Sequence, residues 1–165
     1  MKRIFLMVVF AVFVCTVSWS QDSYFRKFEN MNFVDYKFAS GNQLKSQVKL
    51  NGNEVDVRKI ADKVKDVIII SMNKPVIVKV GTSYTPAPTL PMIDEAHKSL
   101  DYMKSNGYEN LVKRNNRHET LRAYSKEINK DINEYVIYHE EKDEINIVVI
   151  TGKLPMYYLK KLMKH

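Results

Sequence analysis

Four stretches in the C-terminal half of this chain alternate apolar and polar residues at period two, and only a few polar residues separate one from the next. They run from Tyr108 to Arg114, His118 to Ser125, Asn133 to His139 and Ile145 to Thr151. The links between them, such as Asn115-Asn116-Arg117 and Glu140 to Asp143, are too short for the crossover that parallel strands require. Consecutive strands joined this way must run antiparallel, so the segment predicts a four-strand meander.

The chain before Gly107 supplies helices and a second kind of strand. Val67-Ile68-Ile69-Ile70 is apolar at every position, which alternation does not explain and burial on both faces of a sheet does. Phe33 to Phe38 alternates as a half-buried strand, and Tyr24, Phe25 and Phe28 fall at helical spacing between Asp22 and Asn30. Val57, Ile60, Ala61 and Val64 mark a helix of about three turns, begun by Asn53 or Asp56. Ile93, Ala96, Leu100 and Met103 mark another, stopped by Ser105-Asn106-Gly107. Val48 to Leu50 and Val76 to Val80 suit short strands, the latter at an edge beside Pro75. Tyr84 to Pro91, with Pro86, Pro88 and Pro91, reads as a loop or extended linker. Gly152 ends the last strand, and Pro155 opens a closing helix through Lys164. The expected architecture is α+β: an antiparallel sheet that ends in the meander, with helices packed on one face.

Met1 to Ser20 has the three parts of a secretory leader: basic Lys2 and Arg3, the apolar run Ile4 to Val17, and Ser18-Trp19-Ser20. Cleavage after Ser20 leaves residues 21–165 as one domain in the periplasm or cell envelope. Val14 before Cys15 is a poor context for a lipid anchor. Cys15 is the chain's single cysteine and Trp19 its single tryptophan, so both leave with the leader. The remainder has no disulfide, thiol nucleophile or thiolate ligand, and packing must stabilise it.

Little here points to catalysis. The four histidines, His97, His118, His139 and His165, share no metal-ligand spacing on one predicted element. His97, near Asp94 and Glu95, and the His139-Glu140-Glu141 turn are the places where a base or ligand is conceivable. A packed histidine and a solvated hairpin turn account for them more simply. Ser71 and Ser83 lack a glycine-flanked nucleophile elbow, and no glycine-rich phosphate loop occurs. The expectation is a protein that is not an enzyme and has no metal and no cofactor.

The net charge of +7 is weighted to the C-terminus, where Lys153, Lys160, Lys161 and Lys164 meet no acid. On a helix, Met156, Leu159, Leu162 and Met163 gather on one face and Lys160, Lys161 and Lys164 on another, with Tyr157 and Tyr158 at the borders. That pattern suits an anionic membrane surface or an acidic partner as well as ordinary packing on the sheet. The second candidate surface is the proline-rich loop with Tyr84, whose prolines lower the entropy cost of docking. The candidate binding residues are therefore Tyr84, Tyr157, Lys160, Lys161 and Lys164. Nucleic acid is not an expected partner, since basic and aromatic residues do not interleave along the strands.

The exported leader, the helix end Lys104-Ser105-Asn106-Gly107-Tyr108-Glu109-Asn110-Leu111 and the closing Ile147-Val148-Val149-Ile150-Thr151-Gly152 together resemble a family known as domain of unknown function 4252. Its members are small exported proteins or lipoproteins of Bacteroides-type bacteria. The resemblance implies an envelope location and an α+β domain, and it carries no catalytic residues. Some members lie near extracytoplasmic sigma-factor systems, which implies an accessory role in envelope signalling with an envelope protein as partner. The proline-rich stretch Pro75 to Pro91 is longer than the resemblance leads one to expect.

Overall fold

The computed structural model describes residues 24–44, 61–74 and 90–157. A 3-10 helix, Tyr24–Asn30, leads into strand β1, Val34–Ser40, and then β2, Val64–Asn73. Helix α1, Pro91–Ser105, precedes β3, Glu109–Asn115; β4, Glu119–Asn129; β5, Ile132–Glu141; and β6, Glu144–Gly152. The six strands form one sheet in the order β1-β2-β6-β5-β4-β3, and every neighbouring pair is antiparallel. The protein is thus α+β, with an antiparallel sheet as its largest part.

The alternation of each strand assigns its residues to two cores. Ile68, Ile70 and Met72 of β2, Tyr124 of β4, Val136 and Tyr138 of β5, and Ile145, Ile147 and Val149 of β6 pack with Phe25 and Phe28 of the 3-10 helix. Met92, Ile93, Ala96 and Met103 of α1 join that same cluster, because their spacing places them along one side of the helix. On the other face, Val67 and Ile69 meet Tyr135, Ile137, Val148, Ile150 and Leu154. This second face is also buried at these positions, as the continuous apolar run Val67–Ile70 predicts. The runs Val67–Ile70 and Ile147–Ile150 are apolar at successive positions, and such strands must be covered on both sides.

Several boundaries differ from the sequence reading. Val64, assigned above to a helical face, is the first residue of β2; the chain is helical at Ala61 and turns before the strand. Pro91, assigned above to the loop, is the first residue of α1, where its missing N–H costs nothing. The N-terminal amphipathic segment takes the tighter 3-10 form. β4 and β5 extend to a turn in which Asn129 Oδ1 accepts from the amides of Asp131 and Ile132, so both strands outlast their apolar alternation. The strands expected around Val48 and Val76, the helix from Val57, the leader and the rest of the closing helix lie outside the described residues.

Two glycines show how closely the elements meet. A Cβ on Gly152 would lie 2.2 Å from the Lys63 carbonyl oxygen, and one on Gly41 would lie 2.1 Å from that of Val64. The turn into β2 is therefore clasped between the ends of β1 and β6, and the Lys153 amide donates to the Lys63 carbonyl at 2.8 Å.

Candidate functional site

The end of the sheet that holds the β5–β6 turn brings several ionisable side chains together. Glu140, near the end of β5, receives Lys74 Nζ at 2.5 Å and His97 Nε2 at 3.4 Å on Oε1. The Tyr138 hydroxyl donates to its Oε2 at 2.8 Å. Lys74 follows directly on β2, and its Nζ also donates to the Glu141 carbonyl at 2.8 Å. Three elements, β2, α1 and β5, are tied through one carboxylate.

Burial pushes the Glu140 carboxyl up, but the hydrogen bonds from Lys74 and Tyr138 and the charge of Lys74 outweigh it and hold the group below the usual carboxylate range. Tyr138 is pushed well above the ordinary phenol value, first by burial and then by its bond to Glu140. Both carboxylate oxygens already accept strong donors. Such a group is a tie between elements rather than a base poised to take a proton.

On the opposite face of β5, His139 Nε2 sits 3.1 Å from Glu119 Oε1 and 3.4 Å from Glu141 Oε1. Glu119 and Glu141 are direct partners across β4 and β5, where like charges repel, and the His139 Nε2 lies within reach of both carboxylates. Among the described residues, no group of three histidines, cysteines or acidic residues is arranged to hold a metal ion. The depression beside them, lined by Asn116, Arg117, His118, Glu119 and Glu141, is open to solvent.

The structure therefore joins His97 to Glu140, two residues that sequence reading singled out separately, and leaves His139 on the other face. Tyr157 is exposed, at 59% of its surface, beside the partly exposed Met156. Tyr84, Lys160, Lys161 and Lys164 lie outside the described residues.

Sequence reading missed Phe33. Its ring is 80% exposed, and its backbone adopts φ 64°, the left-handed region that bulky side chains avoid. It stands immediately before β1. No local signal announces it, because Phe33 continues the alternation of Phe33 to Phe38 and reads as a strand residue.

The family model described as "Domain of unknown function (DUF4252)" matches residues 36–162. The chain belongs to the DUF4252 family. The match spans β2 through β6 and α1, and with them the Glu140 tie and the His139 pair. No curated protein and no solved structure matches this DUF4252 chain.

Proposed function

We propose that this DUF4252 protein is an exported, non-catalytic module of the periplasm or cell envelope that docks an envelope protein, in an accessory or signalling role. Phe33 carries the reading. Holding a phenylalanine at positive φ costs on the order of 1 kcal/mol, and leaving its ring in water forgoes the burial that aromatics usually gain. Both features work against folding, so the residue is explained by what it contacts when the protein is bound. The leader Met1 to Ser20 supports export, and the saturation of Glu140 supports a structural rather than a chemical use of the most densely bonded ionic cluster. The succession of β3 to β6 as neighbours supports reading the C-terminal strands as one meander, with the helices gathered on the face that holds Phe25 and Met103.

The test is crosslinking and affinity capture from envelopes, comparing the native chain with Phe33→Asn. Asparagine tolerates the left-handed region, so the variant keeps the fold and loses the ring. A recurrent stoichiometric partner lost in the variant supports the reading; equal capture by both removes Phe33 from it. Mass spectrometry of the mature N-terminus checks cleavage after Ser20.

A second reading has the C-terminal segment bind an anionic membrane or envelope polymer through Tyr157, Lys160, Lys161 and Lys164. The exposure of Tyr157 next to Met156 favours it. Salt separates the two, since a lysine-driven contact weakens steeply with ionic strength and an aromatic anchor does not.

A further inference from the structure

The β3–β4 hairpin carries four cations, Lys113, Arg114, Arg117 and Arg122, that no carboxylate of the described residues pairs. Lys113 and Arg122 are direct partners across β3 and β4, a like-charge pairing that destabilises a sheet. Arg114 follows on β3, and Arg117 lies in the turn. None of the four has a carboxylate partner among the described residues, and the Arg122 Nε is buried without an acceptor. Several other cations sit against acids: Lys27 and Lys98 on Glu95, Lys37 on Asp35, Lys74 on Glu140, Lys104 on Asp101, Lys153 on Asp131. β3 is also the terminal strand of the described sheet, paired on one side only with β4, and Lys113 and Arg114 are exposed on it.

We infer that β3 is a docking edge for an extended acidic segment of a protein partner, which adds as a further strand and places its carboxylates on the face that carries Lys113 and Arg122. An unpaired strand offers backbone donors and acceptors to an incoming chain, and alternate side chains set the specificity. Lysines and a bulge, here between Asn110 and Val112, ordinarily guard an edge against aggregation. That guard works by repelling a like-charged edge, so it refuses a second copy of this chain and leaves an acidic strand favoured. The inference rests on the interaction-module reading for the nature of its partner, but uses none of the surface around Phe33.

The probe is a fluorescein-labelled decapeptide of alternating glutamate and threonine, followed by anisotropy against the purified chain at about 50 and about 300 mM salt. Saturable binding is expected that weakens several-fold at the higher salt. Lys113→Glu should weaken it tenfold or more, and Lys104→Glu, which alters a cation already paired on α1, should leave it within twofold. A decapeptide with two threonines replaced by proline keeps the charge and loses backbone pairing, and should bind at least tenfold more weakly. Circular dichroism checks each variant, and Lys113→Gln replaces Lys113→Glu if the latter does not fold. No saturable binding, equal binding of the proline peptide, or indifference to Lys113 substitution overturns the proposal. So does tighter binding by phosphatidylglycerol vesicles or a DNA duplex that displaces the peptide. Because the peptide assay does not involve Phe33, loss of the captured partner and failure of the β3 edge are read separately.

Discussion

Replacing Gly152 by alanine tests whether the clasp around the β2 turn is as tight as it stands. Elsewhere in a strand, glycine to alanine at a compatible backbone conformation stabilises by about 0.4–1 kcal/mol, through the unfolded chain. Here the added Cβ would lie 2.2 Å from the Lys63 carbonyl oxygen, 2.9 Å from the Val64 Cα and 3.0 Å from the Lys65 amide nitrogen. All three are backbone atoms and cannot swing aside. Forcing a methyl into packed structure costs about 1–3 kcal/mol, and displacing Lys63 also strains the Lys153 to Lys63 hydrogen bond, which contributes about 1 kcal/mol. The net expectation is a loss of roughly 2–3 kcal/mol after the unfolded-state gain. In urea, with a slope of about 1–3 kcal/mol per molar, the midpoint should fall by about 1 M or more, followed by far-ultraviolet circular dichroism. Gly107→Ala is the contrast, since Gly107 has φ 75° and open space around it, so only backbone strain of about 1 kcal/mol applies. A Gly152→Ala protein as stable as the parent, or less perturbed than Gly107→Ala, would refute the steric argument.

Three other substitutions probe the buried polar groups. Glu140→Gln leaves the half-buried Lys74 without its charge partner and should cost roughly 1–3 kcal/mol at neutral pH. Because the Glu140 carboxyl is held below its usual range, its contribution is present above the unfolded value and lost as pH falls through the folded one; the gap between parent and variant in urea melts should therefore close in acid. Tyr36 is pushed up to about 12, first by burial and then by the charge of Glu29 against the opposing Arg26, so its contribution is complete below about pH 10 and lost as pH rises towards 12. Tyr36→Phe should flatten that part of the alkaline stability profile and remove one late-titrating phenol from the ultraviolet titration. The Tyr124 hydroxyl is buried without a hydrogen-bond partner, so Tyr124→Phe should leave the melting temperature unchanged or raise it, whereas a drop of several degrees would reveal a bond to that hydroxyl.

The six described strands were legible in the sequence, because alternation and continuous apolar runs are local properties that survive without knowledge of neighbours. β3, β5 and β6 begin and end within two residues of the periodic stretches, and the stop at Asn106 and Gly107 is written in residue types that suit it. Val64 and Pro91 depart from the periodic pattern where a helix, turn or strand meets its neighbour and one residue is compatible with both sides. Only the contacts between elements place β6 between β2 and β5 and settle which side chains cover the second face. Tertiary structure also decided the chemistry of position. His97 and Glu140 stand 43 residues apart and meet because α1 lies over the face that β5 shares with β2. Lys113 and Arg122 become opposed only once the β3–β4 register and its bulge are set, and Phe33 becomes an exposed, left-handed residue only at the entry to β1. Periodicity records which side of an element is apolar; it holds no record of which element lies opposite, and like-charge pairs, ties and exposed anchors are properties of that opposition.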